Sequence, residues 1–365
     1  MIETRPSSLL AVKSKLGELD AVLNTHLTGD AVDVIIELLG STKIGGSVAS
    51  KIIQAGAQSV RAGRPIWLDT TWLQESSPLG RLPNGALEHF EERIEEKLEK
   101  EIFSTADVPT LIPIVAATAD DRELGRARML LEHKPRSIAV RSRRTSRQGT
   151  RLLVDQLERI ASVLQISNQD VHLVVDEGFV EHVHERRVGE LVDAVHAIGE
   201  HHELASVSVL SGSTPPKRVN YETHVRERPE VHLWRAVNDC CHRALRYGDY
   251  GVVHPQPPAN TDGYGWPNPY LHYTIPDGTL SIARRIPGRG RGAPPAGTAK
   301  RYFLEVADEL VRHPEFAGSD FSWGDRYIHN CRTSPKPAVG TSTKWISMAT
   351  SHHLAHLSLR RDAPT

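Results

Sequence analysis

Cysteine is scarce in this 365-residue chain, which has only Cys240, Cys241 and Cys331. An odd count with one vicinal pair fits neither a disulfide framework nor a CxxC metal ribbon, so a reducing cytoplasm is the expected setting. Net charge is almost absent as well, formally −1. That balance excludes a generally basic nucleic-acid coat or an acidic tail protein, and leaves any charge argument to local clusters. No uninterrupted apolar run approaches the length that crosses a bilayer, and Met1-Ile-Glu-Thr-Arg-Pro6 lacks the basic and then apolar regions of an export signal. A soluble, unexported protein with no membrane partner is therefore expected. HExxH is missing, Ser211-Gly-Ser213 is not a GxSxG elbow, and the first strand-to-helix turn has no GxGxxG.

What is present is a long alternation of apolar runs and helical stripes. Hydrophobic residues make up 39% of the chain, enough for one large core or a core plus an appendage. Met1–Arg5 reads as a short first strand, and Leu9, Leu10, Val12, Leu16, Leu19, Val22 and Leu23 fall at helical spacing after a Ser7 or Ser8 cap. Near-continuous apolar runs follow at 32–39, 65–69, 110–116, 137–141, 171–176 and 205–210, as expected of strands buried on both faces. Pro113 suggests a bulge or strand end in its run. Helical stripes separate these strands, including Leu87, Phe90, Ile94, Leu98 and Ile102 in a charged field, and a last one spans Val231 to Leu245.

About eight such alternations in some 250 residues give the length and rhythm of a (β/α)₈ TIM-type barrel. A doubly wound open sheet is the competing layout; the repeat number and the missing dinucleotide fingerprint favour the barrel. The expected division is a barrel over residues 1–255 and a C-terminal extension over 256–365 packed on it. Within the extension, Tyr270–Ile275, Pro276-Asp-Gly278 and Thr279–Arg284 form a hairpin pattern. In the stretch Arg246-Tyr-Gly-Asp-Tyr-Gly-Val-Val-His-Pro255, Tyr250–Val253 reads as the closing strand. This puts Asp249 at the strand entry, where it braces a turn, and His254 at the exit.

A barrel gathers the C-terminal ends of its strands on one face. Those ends supply Arg5, Glu37, Asp69, Arg141, Arg143, Asp176, Ser211 and His254. Glu37, Asp69 and Asp176 are the candidate ligands of a hard divalent cation, with Mg²⁺ the cofactor such oxygens would accept. Together with His254 they are also the candidate proton-transfer groups of a metal-dependent phosphoester hydrolase. Arg5, Arg141, Arg143 and Ser211 are the candidate ligand-binding residues, the arginines suiting phosphate or carboxylate. The competing reading is that acids and bases at strand ends pair with one another. A second candidate surface joins Arg284, Arg285, Arg289, Arg291, Lys300 and Arg301 to Tyr270, Tyr273 and Tyr302, an interleaving compatible with single-stranded nucleic acid.

IWLD (Ile66–Asp69), LIPIV (Leu111–Val115), IAVRSR (Ile138–Arg143), LVVDEG (Leu173–Gly178) and RYGDYGVVHP (Arg246–Pro255), with Thr341-Ser-Thr-Lys-Trp345 followed by His352-His353, resemble the beta family proteins of bacteria and phages. The resemblance implies a barrel-like fold and a setting of mobile elements and phage–bacterium conflict. It also implies a fuller first strand, carrying a Pro and a Lys or Arg, than Met1–Arg5 provides, and it names no substrate. Two functions are expected to compete. One is a phosphate-handling pocket at the C-terminal barrel face serving phage defence. The other is a non-catalytic recognition subunit that binds a partner protein or single-stranded nucleic acid through the aromatic-basic C-terminal extension; a partner protein of a defence system and a nucleic acid or nucleotide are the partners expected.

Overall fold

The computed structural model describes residues 8–25, 32–101, 109–143, 147–216, 220–257, 268–286, 297–334 and 339–359. The chain runs β1 (Ser8–Lys13), α1 (Leu16–Asn24), β2 (Val32–Glu37), α2 (Ser47–Arg61), β3 (Ile66–Asp69), α3 (Gly85–Lys100), β4 (Leu111–Ala116), α4 (Asp121–His133), β5 (Ile138–Arg143), α5 (Arg147–Leu164), β6 (Val171–Phe179), α6 (Glu185–His201) and β7 (Ser206–Gly212). It continues with β8 (His224–Arg226), α7 (Pro229–Asn238), β9 (Arg246–Asp249), β10 (Tyr270–Ile275), β11 (Gly278–Ala283), α8 (Thr298–Arg312), α9 (Trp323–Thr333) and α10 (Ser342–Leu359). Strands β1 to β7 and β9 close a barrel in that order, every pair parallel, with β9 returning to β1 through Leu9↔Gly248 and Leu10↔Asp249. This is the (β/α)₈ barrel that the sequence rhythm predicts.

The first strand lies further along than the sequence suggests. Residues 8–13 (SLLAVK) pair with β2 over six positions, from Ser8↔Val32 to Lys13↔Glu37, so Leu9, Leu10 and Val12 belong to a strand. The apolar run merges into the helical stripe of α1 with only Ser14-Lys15 between them and no Gly or Pro to mark the break. Ending in Lys13, it carries the basic residue of the first strand that the resemblance implies, but not the Pro. Met1–Arg5, including the candidate Arg5, lies outside the described residues. The closing strand also differs, because β9 ends at Asp249 and Tyr250–Val253 forms the turn beyond it. Asp249 is thus at the C-terminal end of its strand, and α7 stops at Asn238 to leave room for β9. Pro113 sits within β4 opposite Leu68, and the irregular register lies instead between Asp176 and Gly178 of β6.

Side chains alternate between the lumen and the helical layer. The lumen is filled by Leu9, Ala11, Ile35, Trp67, Ile114, Ala139, Val174, Leu210 and Tyr250. Toward the N-terminal end a polar layer follows: Arg246 pairs with Asp33, and His172 Nδ1 lies 2.8 Å from Ser206 Oγ.

Beyond the barrel, β10 and β11 form the expected antiparallel hairpin with Ile275 opposite Gly278, and β8 adds a third strand. Leu271, Tyr273, Leu280, Ile282, Phe303, Val306, Ile328, Trp345 and Met348 give this region a core of its own. Its last helix, α10, leaves that core to pack on α1, and Leu354 and Leu357 join the apolar layer around the barrel. The approach is close: a Cβ on Gly17 would lie 2.6 Å from the Thr343 carbonyl oxygen. In a TIM barrel a helix following the eighth strand covers the seam with the first; here α10 takes that place after a detour of about a hundred residues.

Candidate functional site at the barrel mouth

Register alone brings the charged residues together. The pairs Lys13↔Glu37 and Glu37↔Asp69 put three ends at one level, and Arg141 and Asp176 are inward positions of β5 and β6. Arg141 is the hub. Its Nη2 lies 2.8 Å from Glu37 Oε1 and 2.8 Å from Asp176 Oδ2, its Nε donates to the same Asp176 oxygen at 3.1 Å, and its Nη1 donates to Asp69 Oδ2. Nη2 also contacts the Tyr250 hydroxyl, which donates to Asp176 Oδ1 at 2.8 Å. Backbone groups complete the carboxylates: Thr71 N–H donates to Asp69 Oδ1 at 2.7 Å and Gly178 N–H to Asp176 Oδ1 at 2.9 Å.

Arg141 and the three acids are no more than 3% exposed. Burial opposes the charge on Arg141, but Tyr250, Asp176, Asp69 and Glu37 outweigh it and hold the guanidinium pKa well above its ordinary value. Burial, reinforced by Asp176 and Glu37 against the pull of Arg141, raises the Tyr250 phenol well above its usual range, so it stays a donor.

Two residues extend the hub in opposite directions. Lys13, 2% exposed, places Nζ 3.6 Å from Glu37 Oε2 and 5.1 Å from the centre of the Tyr250 ring. Among the described residues neither Lys13 Nζ nor Glu37 Oε2 has a hydrogen-bond partner. On the other side Trp72 Nε1 donates to Glu37 Oε1 at 3.0 Å, and Arg143 stacks on the Trp72 ring with its guanidinium carbon 3.8 Å from the centroid.

The expected convergence of Glu37, Asp69, Arg141 and Asp176 therefore exists, with Arg143 at the rim. The metal expectation does not fit this donor set. The inward oxygens of the three acids are taken up by Arg141, whose charge sits where a cation would, and among the described residues no cluster of three His, Cys, Asp or Glu is placed to hold a metal.

His254 is also displaced from its expected role. Because the strand ends at Asp249, His254 falls in the following loop, with Nδ1 2.8 Å from the Thr214 carbonyl oxygen and its ring against Phe179. Ser211 is wholly buried, but it alternates with inward Leu210 and so faces the helical layer.

Asp249 likewise points outward, into a second buried cluster. It accepts from Arg228 Nη2 at 2.8 Å, from the Tyr247 hydroxyl at 2.6 Å and from His353 Nε2 at 2.9 Å. The other His353 nitrogen lies 2.7 Å from Thr274 Oγ1. The neighbouring His352 meets Asp325 at Nδ1 (2.9 Å) and the Thr274 carbonyl at Nε2 (2.7 Å). Thr274, His353 and Asp249 line up as a hydroxyl–imidazole–carboxylate relay, but Thr274 is 3% exposed on β10, so the relay joins the small sheet to the barrel and faces no substrate space.

Arg284 is drawn into an ion pair with Glu309, and Arg285 lies over Tyr221. Tyr273 is fully buried, and Arg289 and Arg291 lie outside the described residues. Arg284 and Tyr273 of the expected aromatic-basic surface are thus engaged in internal contacts, whereas Arg285, Lys300 and Arg301 are exposed.

A model of the Beta protein family matches residues 8–358. The chain belongs to that family. Its barrel is also similar to solved structures: a proposed fructose-1,6-biphosphate aldolase from Coccidioides immitis (12% identity, 67% of this chain and 74% of that one, TM-score 0.32) and a thiamine phosphate pyrophosphorylase from Pyrococcus furiosus (8% identity, 69% and 90%, TM-score 0.30). No curated protein matches the chain. Among the described residues no helix is long and apolar enough to cross a membrane.

Lys13, Trp72 and Tyr250 are the mouth residues that sequence reading passes over. Lys13 had a signal, since it ends an apolar run just as Glu37, Asp69 and Arg141 end theirs. Trp72 follows its strand by three residues and had none.

Proposed function

We propose that the barrel mouth of this family member binds a small phosphate-containing ligand that also carries hydroxyl groups, and that the protein serves phage defence or a mobile element in the cytoplasm through that binding. The observation that carries this reading is the Lys13–Glu37 pair. Its charged atoms are buried and 3.6 Å apart, each without a hydrogen bond. An unpaired buried donor or acceptor costs roughly 1–3 kcal/mol, and more when charged. A ligand that brings an anionic oxygen to the ammonium and a hydroxyl to the carboxylate recovers that cost, and a phosphorylated sugar or polyol has both groups.

The Arg141 hub supports the pair as a rigid floor, because its donors are already committed and need no rearrangement on binding. Among the described residues Glu37 Oε2 is also the one carboxylate oxygen of the hub without a hydrogen bond. If the bound ligand reacts, it is the atom placed to take or give a proton. The set of acids closed around Arg141 gives no support to a metal-assisted step.

Calorimetry with ribose 5-phosphate tests the reading. Saturable binding to the wild type that is lost in Lys13→Met is expected, together with loss of protection by the same variant in a phage-plaque assay. Equal binding by Lys13→Met, or none by the wild type, overturns it.

A further inference from the structure

Arg143 follows Arg141 on β5 and reaches the rim one layer higher. Its guanidinium is fixed from several sides: the Trp72 ring lies 3.8 Å beneath it, its Nη2 donates to Thr71 Oγ1 at 2.8 Å, and its Nε faces Asp176 Oδ2 at 3.4 Å. The side chain is nevertheless 36% exposed. Trp72 is itself pinned through its indole N–H to Glu37. A delocalised, planar cation is thus held over an aromatic ring, with part of its surface open to solvent. Such a plane is the kind of platform on which a second flat ring stacks, and a lysine cannot imitate it.

The two oxygens of Glu37 are divided between this platform and the unpaired site below it. Oε1 holds Trp72, and Oε2 faces Lys13. A ligand whose hydroxyl-bearing part meets Oε2 therefore has its neighbouring part beside the Arg143–Trp72 stack.

Resting on the reading of the mouth as a phosphate-ligand site, we infer that the ligand is a nucleotide, with its base on the Arg143–Trp72 stack and its ribose and phosphate toward Glu37 and Lys13. The chemistry asks for a flat heterocycle, a vicinal hydroxyl and an anionic group within one small molecule, which a nucleoside monophosphate supplies.

Calorimetry on the full chain with AMP and ribose 5-phosphate separates the base from the rest. AMP is expected to bind the wild type at least about 10-fold more tightly, the factor that 1.4 kcal/mol of stacking gives at 25 °C. In Arg143→Lys, which keeps the charge and removes the plane, that ratio is expected to collapse toward one. Saturation-transfer NMR on the unmodified protein is expected to place the adenine protons against it, a readout that needs no variant to fold. Equal affinities in the wild type, or a preference for AMP that survives Arg143→Lys, overturn the nucleotide assignment and leave the phosphate-ligand reading standing. If neither compound binds, both fall.

Discussion

His353 Nε2 donates to Asp249 across 2.9 Å, and this single contact joins the last helix of the chain to the last strand of the barrel. Asp249 is wholly buried at that point, held by Arg228 and Tyr247 as well. Burial pushes its carboxyl up, but His353, Arg228 and Tyr247 outweigh that and hold it below the ordinary carboxylate range. A carboxyl depressed in the folded state contributes stability that is fully present above its unfolded pKa of about 3.9 and is lost progressively as pH falls below that value toward the lower folded one. Urea midpoints measured between pH 6 and 2 are therefore expected to begin falling near pH 4 in the wild type and to keep falling below it, and to do so less in Asp249→Asn. At neutral pH His353→Gln is expected to cost about 3–5 kcal/mol, since it leaves a buried charge short of a partner.

His172, in the polar layer at the other end of the lumen, has the opposite protonation logic. Burial first, and then the Arg246 charge, lower its pKa to about 4. It is neutral in the folded barrel, whereas the unfolded chain takes up a proton below about pH 6.5. Stability is therefore lost as pH falls from 6.5 toward 4, by roughly 3 kcal/mol at most. In chemical denaturation His172→Gln is expected to flatten the slope across that window, while the loss due to Asp249 persists below it.

Arg141 is the counter-charge for three buried acids. Arg141→Met is expected to destabilise the protein by at least about 3–5 kcal/mol in urea unfolding, because it strands those carboxylates. Arg141→Lys is expected to recover only part of the loss, since a point charge cannot reach Glu37, Asp69 and Asp176 together as the guanidinium fork does.

The seat of α10 on the barrel makes residues 342–359 part of the barrel's stability. Leu354 is fully buried among barrel residues, and Leu354→Ala is expected to cost about 2–5 kcal/mol. Cutting the chain after Pro255 exposes the layer covered by α10; that fragment is expected to bind hydrophobic dye and to show no cooperative thermal transition.

Gly324 lies where α9 crosses α10, and a Cβ there would stand 2.1 Å from the Met348 carbonyl oxygen. Backbone cannot yield as a flexible side chain does. Gly324→Ala is expected to lower the melting temperature by several degrees, whereas Gly189→Ala on α6, with nothing within 4 Å of its Cβ, is expected to raise it slightly or leave it unchanged.

The barrel was legible because its buried parallel strands are unbroken apolar runs and its helices carry single stripes. The convergence of Glu37, Asp69, Arg141 and Asp176 was legible too, because each ends such a run and a closed parallel sheet brings all the ends to one face. Two boundaries were not. Ser8–Lys13 runs into α1 without a Gly or Pro, so its apolar residues satisfy a helical period as easily as a strand. The glycines of Tyr247-Gly-Asp-Tyr-Gly251 hide which half of the motif is strand, and that shift moved Asp249 and His254 away from their expected places. How the charges would be neutralised was not legible at all: charged residues at strand ends look the same whether an arginine or a metal ion balances them, and only side-chain geometry separates the two cases. The contact of His352 and His353 with β9 and β10 spans about a hundred residues or less of intervening chain that sequence spacing does not connect.

Closing the ring with α10 also sets an order of events during synthesis. Domains fold as units while the chain emerges, yet the helix that covers α1 leaves the ribosome only after β1 to β11 have done so. For the whole time that residues 256–341 are being translated, the flank of α1 that meets Thr343 and Ser351 has no cover. A nascent chain stalled before Ser342 would therefore present the apolar side of α1 to the cell until α10 arrives.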